Sequence, residues 1–275
     1  MAHESQVRYS ALVDAKLRQT LVTRDNYIFN NNYEGNPKAG KVKIPVRDTE
    51  VKVKDYNKET GIKIESGSTS YADLNIDMDK AVNELIDGFD AASVPDNLTA
   101  DRLDSAGYSL ALEMDADSIG CLETTSGTKV TETKTAATEK TAYQEILKAK
   151  AYLGRKGVPS DGRWLIVSPE FQSVLMLDDH FIRQGDLSQE MKNAGAVGSV
   201  AGFAVFESNN LLYEDTETTG GKVTTTEWAV EVHLQDLSGS GTFIGASAVQ
   251  GRKIWGRMIS KPETVYIKRT ETEAS

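Results

Sequence analysis

The sequence predicts a mixed fold of the α+β class, in which helices and sheets share the hydrophobic core. Two segments carry apolar residues at helical spacing, and several shorter ones alternate or run apolar as strands do. The chain has 275 residues, which is enough for one large domain or two smaller ones. No apolar run approaches the roughly 20 residues that a membrane-spanning helix needs. We therefore expect a globular protein that contains both kinds of secondary structure.

Charge and its distribution bear on possible partners. The net charge of −10 argues against tight generic binding to DNA or to anionic lipid, which requires clustered Lys and Arg. Residues 1–38 carry five basic and four acidic side chains, and residues 41–63 carry seven and four, so the rest of the chain is strongly acidic. Basic extensions on an acidic body suit self-association, although ordinary solvated charges explain the same distribution.

The N-terminus and the cysteine content indicate the compartment. Residues 1–17 lack the basic-then-apolar plan of a signal peptide. Cys121 is the single cysteine, which excludes an internal disulfide framework and a multi-cysteine metal cluster. We therefore expect the protein to be made and used in a cytoplasm.

Residues 1–40 have the pattern of an arm. They encode no long helix or strand, and polar amides and turn formers dominate their second half. The aromatics Tyr27, Phe29 and Tyr33 are unusual for a disordered tail. They predict a segment that becomes ordered by packing on another surface.

Residues 41–76 alternate between apolar and charged side chains, for example at Val42, Ile44 and Val46. This period of two, with turn formers from Asn57 to Gly61, predicts a long charged hairpin. Too little of the hairpin is apolar for it to fold alone, so it requires a surface on which to lie.

Two helices follow. Asn97 or Thr99 can cap a helix that runs to about Leu122, with an Asp-rich end at Asp115 and Asp117. The second helix runs from about Thr141 to Arg155 and is expected to bury Tyr143, Ile146, Leu147 and Leu153. The Thr-rich run between them, residues 123–141, reads as an exposed loop or a short hairpin.

The most informative stretch is Gly162 to Leu211, GRWLIVSPEFQSVLMLDDHFIRQGDLSQEMKNAGAVGSVAGFAVFESNNL. A buried strand, Trp164 to Val167, ends in Ser-Pro and opens a helix. A loop of small and polar residues then leads to a Gly-flanked strand that closes on Glu-Ser-Asn-Asn-Leu. Residues 214–227 form another Thr/Gly-rich insertion, read as a surface hairpin, and the tail alternates strand patterns up to Ile267.

This order of motifs resembles the centre of the major capsid proteins of tailed bacteriophages, the family with the Hong Kong 97 type fold. The tail segment from Lys253 to Ile267, KIWGRMISKPETVYI, resembles the same family. The resemblance implies an N-terminal arm, an extended β-hairpin loop, a peripheral domain with a long spine helix, and an axial domain. The expected boundaries are 1–40 for the arm, 41–76 for the loop, 77–138 plus 246–275 for the peripheral domain, and 139–245 for the axial domain.

The implied function is structural. Identical subunits would form pentamers and hexamers that close into an icosahedral head around a phage double-stranded DNA genome. The arm and the extended loop would lie across neighbouring subunits. The loop from Gln184 to Ala201 and the Thr-rich loops would meet their copies at the capsomer centre. The expected interface residues are Tyr27, Phe29, Lys52, Lys54, Lys58, Lys63, Gln184 and Asn193.

The resemblance also implies partners and a location. Besides copies of itself, the chain is expected to meet scaffolding and portal proteins, to contact packaged DNA only non-specifically, and to avoid membranes. It would reside in the virion capsid after assembly in the cytoplasm of the host bacterium. Because Met1 directly precedes the arm, we expect the scaffold to be a separate protein. Some shells of this family cross-link a loop Lys to a neighbour's Asn, but solvation explains these lysines more simply.

No pattern of catalytic, metal-binding or cofactor-binding residues is evident, so we expect neither an enzyme nor a cofactor. His3, His180 and His233 are too few and too scattered for a metal site, and the glycine-rich stretches lack the features of nucleotide-binding loops. Two alternatives remain. One is the shell of an encapsulin-type compartment, which has the same fold, and the other is a Thr-rich β adhesin or binding module.

Overall fold

The computed structural model describes most of the chain. The described residues are 16, 18–23, 27–30, 40–46, 51, 53–62, 69–88, 98–133, 137–138, 140–179, 181–183, 195–211, 217–220, 223–229, 233–236 and 246–270. The helices among them are α1 (Leu98–Thr124), α2 (Ala142–Arg155) and α3 (Pro169–Leu175), with a 3-10 turn at Pro262–Thr264.

Fourteen strands lie in the same residues, and together with the helices they confirm the predicted α+β class. They are β1 (Phe29–Asn30), β2 (Lys41–Val46), β3 (Ser70–Asn75), β4 (Met78–Ile86), β5 (Lys129–Thr133), β6 (Trp164–Val167), β7 (Ile182–Arg183), β8 (Gly198–Val200), β9 (Phe203–Glu207), β10 (Glu217–Gly220), β11 (Val223–Ala229), β12 (His233–Asp236), β13 (Ser247–Met258) and β14 (Val265–Thr270).

The larger sheet has seven strands in the order β5-β14-β10-β6-β9-β8-β7. Its strand β6 is fully buried because both of its faces are covered. Trp164 and Ile166 belong to a core that includes Ile119 of α1, whereas Leu165 and Val167 belong to a core that includes residues of α2 and α3. A strand covered on both faces is continuously apolar, which is why this run was recognisable in the sequence.

Local signals around β6 act as the sequence predicts. The Ser168 hydroxyl accepts a hydrogen bond from the backbone N–H of Phe171, and Pro169 occupies the first turn, so α3 begins directly after the strand. Further along, Ala201 and Gly202 both have positive φ, 49° and 90°, in the two-residue turn between β8 and β9. Two positive φ values match the turn type whose twist suits a tight hairpin.

The second sheet has five strands and is built around β13. Strand β4 pairs with one edge of β13, and β11 and β12 pair with successive parts of the other edge. Strand β1 of the arm adds to β11 in parallel. Helix α1 packs on this sheet mainly over β13. Its C-terminal end also contributes to the core that contains Trp164 and Ile166, which we call the core beneath β6.

The Thr-rich segments are strands inside the sheets, so their assignment as exposed loops or surface hairpins is wrong. Strand β5 pairs in parallel with β14, and β10 lies between β14 and β6. Strand β11 starts three positions after β10 ends, yet it belongs to the other sheet. The reason is that threonine is β-branched and fits a pleated sheet, so low sequence complexity did not indicate a loop.

One expectation about the helices also needs correction. Helix α1 ends at Thr124, two residues beyond the predicted Leu122, and contains Asp115 and Asp117. In α2 the buried side chains include Ile146 and Leu153, whereas Leu147 is 40% exposed. Helical geometry explains this, because adjacent positions lie about 100° apart and only one side of α2 meets the sheet.

The division into peripheral and axial domains stays a prediction. Both large sheets combine strands from both of the expected domains. For example, β5 and β14 of the expected peripheral domain share a sheet with β6 and β9 of the expected axial domain.

A close approach of two backbones fixes the base of the extended loop. A Cβ on Gly256 of β13 would lie 2.1 Å from the carbonyl oxygen of Asn75, at the end of β3, and 3.1 Å from the Cα of Ile76. Only glycine leaves room for this contact, because the obstructing atoms are backbone atoms. The residue therefore sets where the hairpin leaves the body of the subunit.

We predict that Gly256→Ala destabilises the subunit by about 1–3 kcal/mol, the usual cost of overpacking, and displaces the loop base. The matched control is Gly107→Ala in α1, where a Cβ meets nothing within 4 Å. The control is expected to gain up to about 1 kcal/mol in helix propensity. Urea unfolding of the free subunit measures both, and equal midpoints for Gly256→Ala and the native chain would refute the packing argument.

Candidate assembly surfaces

The described arm residues from Lys16 to Thr23 contact one face of α1 in their own subunit. Lys16 Nζ is 2.6 Å from Asp101 Oδ2. Arg18 forms an ion pair with Asp104, and its guanidinium carbon lies 4.8 Å from the centre of the Tyr108 ring. The hydrogen bond from Arg18 lowers the pKa of Asp104, so this pair forms at neutral pH and is lost as the pH falls below the ordinary carboxyl range.

A buried carboxylate, Asp115, fixes the inner end of this contact. One oxygen of Asp115 accepts hydrogen bonds from the backbone N–H of Thr23 at 2.9 Å and from its hydroxyl at 2.8 Å. The other oxygen accepts from Asn210 Nδ2 at 2.7 Å. Gln19 Nε2 donates to the side-chain oxygen of Asn210 at 2.7 Å, which closes the network. Three donors satisfy a charge that would otherwise be costly to bury.

Asp117 lies on the opposite side of α1 and binds the five-stranded sheet. Its Oδ2 accepts a hydrogen bond from the indole N–H of Trp255 at 2.9 Å and lies 2.7 Å from Arg257 Nε. Arg257 also reaches Asp77 through Nη1 at 2.7 Å. Because positions two apart on a helix point in different directions, these two aspartates connect α1 to different elements, as their spacing predicts.

The described arm aromatics, Tyr27 and Phe29, pack within the subunit, whereas Tyr33 lies outside the described residues. Phe29 is 1% exposed and belongs to the core beneath β6. The Tyr27 ring packs against the same core, with its centre 5.6 Å from that of the Phe206 ring. The chain's own core therefore accommodates both aromatics in this structure, and the segment from Arg18 to Thr23 binds α1. Their expected contact with a neighbouring subunit stays a prediction.

The extended loop begins as the predicted hairpin. Strands β2 and β3 pair antiparallel from Lys41↔Asn75 to Val46↔Ser70. Only Ile44 and Leu74 of this pair of strands are buried. Lys41 also forms an ion pair with Asp73, with 3.0 Å between Lys41 Nζ and Asp73 Oδ2. Beyond the two strands, the described part of the loop has one isolated β-bridge, between Asn57 and Gly61 at its turn. The alternating residues Val51 and Val53 are not in a strand.

The outer part of the loop exposes large apolar side chains to an unusual degree. Val51 is 92% exposed, Val53 98% and Tyr56 71%, and Ile62 and Tyr71 are exposed as well. These five are the majority of the nine exposed large hydrophobic residues found in the described part of the chain. Such a concentration on one projection marks a surface that another molecule covers.

The remaining interface residues expected from the sequence are only partly placed. Lys54 and Lys58 are exposed on the outer part of the loop. Lys52 and Lys63 lie outside the described residues, as do Gln184 and Asn193 between β7 and β8. Their roles at subunit interfaces stay predictions.

Three findings concern metal binding, thiol reactivity and membrane insertion in the described residues. No group of three or more His, Cys, Asp or Glu side chains there is arranged to hold a metal ion. Burial raises the pKa of the Cys121 thiol, which disfavours its reactive thiolate form. None of the described helices is both long and apolar enough to cross a bilayer.

Sequence reasoning missed the network around Asp115. Its members, Gln19, Thr23, Asp115 and Asn210, are far apart in the chain, and their types suggest only solvated polar groups. The signal that was available is the Asn-Asn pair of the ESNNL motif. Its second member, Asn210, joins the arm to α1.

We predict that Asp115→Asn loosens the arm, because an amide presents a donor where Asn210 also donates. The loss of one buried hydrogen bond to a charge costs about 1–3 kcal/mol. Hydrogen exchange of the peptide containing residues 18–23 is expected to become faster.

The control is Asp101→Asn, which removes a half-exposed ion pair whose contribution is below about 1 kcal/mol. If both variants exchange at the native rate, Asp115 does not hold the arm.

Comparison with known proteins identifies the fold. No family model matches the sequence, and no curated protein matches it either. Solved structures do match. A structure of Mycobacterium phage Che8 aligns over 96% of this chain and 96% of its own, with 21% identity and a TM-score of 0.73. The capsid structure of the cyanophage P-SCSP1u aligns over 98% of this chain and 93% of its own, with 14% identity and a TM-score of 0.75.

A third match, a virus-like particle from Pyrococcus furiosus, has a lower TM-score of 0.57 at 14% identity, over 91% of this chain and 92% of that one. The matches span almost the whole chain. The chain therefore has the Hong Kong 97 type fold of the phage capsid structures that it matches.

Proposed function

We propose that the chain is the major capsid protein of a tailed phage or prophage and that its copies assemble into an icosahedral shell. The exposed apolar side chains of the extended loop are the observation that carries this proposal. A fold shared with capsid structures supports it.

The loop explains why one subunit is incomplete. Val51, Val53 and Tyr56 project from a hairpin that buries little of its own surface. Burying apolar surface is favourable by roughly 25 cal/mol per Å², so covering these side chains with a neighbouring copy stabilises both partners. The gain recurs at every subunit of a closed shell, so stability becomes a property of the assembly.

The arm contributes differently. Its described residues bind α1 and the core beneath β6 of their own subunit. They hold the long helix in place. The extended loop, in contrast, exposes apolar side chains that a neighbouring subunit can cover. In this proposal the role is structural and non-enzymatic.

The partners of the shell belong to the same proposal. They are further copies of the chain in pentamers and hexamers, a scaffolding protein, a portal protein and packaged DNA. Contact with DNA is weak and non-specific, which agrees with the net charge of −10. The shell assembles in the cytoplasm of the host bacterium and becomes the capsid of the virion. Expression of the chain alone and with a scaffolding protein tests which partners closure requires.

The alternatives fit less well. An encapsulin-type compartment would have the same fold, but the similarity to the virus-like particle, at a TM-score of 0.57, is below that to the two phage structures. A Thr-rich β adhesin does not account for the 27-residue helix α1, and β10 and β11 are parts of the two large sheets.

We predict that the triple variant Val51→Ser, Val53→Ser, Tyr56→Ser folds but fails to form closed particles. The change removes apolar area that the subunit itself does not bury, so circular dichroism and the urea midpoint are expected to stay native. Negative-stain electron microscopy and sedimentation measure assembly, with the native chain expected to form shells, alone or with a scaffolding protein.

The control is Met176→Ser, Leu177→Ser, which changes two exposed apolar residues outside the loop. It is expected to assemble normally. A native chain that remains a monodisperse monomer at high concentration, with and without the scaffold, would contradict the proposed function.

A further inference from the structure

Strand β4 has a long edge that pairs with no strand in the described part of the chain. Its nine residues, Met78–Ile86, pair with β13 along one side. Along the other side, no backbone group of β4 forms a hydrogen bond with any other part of the chain that the structure describes. For comparison, β5 at one end of the larger sheet is shorter than β4 and has five residues. An edge of nine residues is a template for another strand.

The two faces of β4 differ. Even-numbered residues face α1, where Lys80 Nζ lies 2.8 Å from Glu113 and Glu84 accepts from Arg102 at 2.6 Å. Val82 packs between them against a small core on the same side. Odd-numbered residues, including Ala81 and Asn83, are on the opposite face and are exposed.

We propose that β4 pairs antiparallel with β4 of a second copy across a two-fold axis that passes through Val82. The proposal rests on the proposed function in one respect, because an icosahedral shell supplies two-fold axes between its capsomers. The pairing joins two five-stranded sheets into one continuous sheet.

The register follows from geometry. An axis perpendicular to the sheet keeps each side chain on its own face, so a residue pairs only with residues of the same parity. Centring on Val82 is the one register that pairs all nine residues of both strands. It places Lys80 opposite Glu84 of the partner subunit, and Glu84 opposite the partner's Lys80.

Charge supports this register. Charged side chains usually protect an edge strand because a second copy would bring like charges together. Here the antiparallel arrangement brings opposite charges together twice. Each pair extends the existing bridges from Glu113 to Lys80 and from Glu84 to Arg102 into a row that crosses the axis. Opposite charges directly across an antiparallel pair are favourable.

The joined sheet also has room for both helices. Helix α1 packs mainly over β13, one strand in from the edge. With neighbouring strands about 4.8 Å apart, the two copies of α1 lie roughly 14 Å apart on the same face. Packed helices need only about 8–10 Å between axes, so the pairing creates no clash between them.

Disulfide trapping tests both the contact and its register. Ala81 of one copy lies opposite Asn83 of the other, whereas two copies of Ala81 are offset by two residues, about 8 Å between Cα atoms. A disulfide does not bridge Cα atoms more than about 7 Å apart. We would prepare Ala81→Cys and Asn83→Cys separately in a Cys121→Ala background, so that each chain carries one thiol.

The two variants are assembled singly and as an equal mixture, then oxidised and run on non-reducing gels. The expected result is a covalent dimer in the mixture only, at least tenfold more abundant than in either variant alone. Hydrogen exchange of the peptide spanning β4 is expected to slow on assembly, in the native chain without any cysteine substitution.

The outcomes separate this inference from the proposed function. Closed particles with no dimer in the mixture and no added protection of β4 would overturn the edge pairing and leave the shell intact. A dimer in the mixture without particles would support the pairing and count against the shell. Equal dimer yields in all three samples would refute the register centred on Val82.

Discussion

The rest of the structure depends on one buried charge, the carboxylate of Asp115 in the middle of the long helix. A charge with no exposure to water must be matched by hydrogen-bond donors, and the chain supplies them from two distant segments, Thr23 of the arm and Asn210 after β9. Two residues further along α1, Asp117 binds Trp255 and Arg257 of β13. The helix is thereby fixed to the arm, to the end of β9 and to the five-stranded sheet.

This internal network separates what stabilises a subunit from what joins subunits. The described arm satisfies polar and apolar groups of its own chain, so it acts as part of the subunit. The extended loop does the opposite, because it satisfies little within the subunit and carries most of the exposed large apolar side chains among the described residues. In the proposed shell, such a subunit gains further stability by burying its loop on a neighbour. The free edge of β4 adds a second unfilled surface of a different kind, with backbone groups in place of apolar side chains.

The sequence predicted the elements that have a simple local pattern. The continuous apolar run of β6, the Ser-Pro that opens α3 and the period of two in β2 each fold as expected, because local pattern and tertiary packing agree there. The Thr-rich strands β10 and β11 were missed since their role depends on partners far along the chain. For the same reason the sequence did not reveal Asp115 as the centre of a network. The resemblance supplied the fold, and the contact of the described arm residues with α1 was not foreseen from the sequence.

Cryo-electron microscopy of particles assembled from the native chain tests the central claim most directly. The account predicts a closed icosahedral shell in which Val53 and Tyr56 are covered by a neighbouring subunit, while Thr23 remains bonded to Asp115 of its own chain. A shell whose extended loops point into solvent would contradict the account, and so would one in which Thr23 binds Asp115 of another subunit.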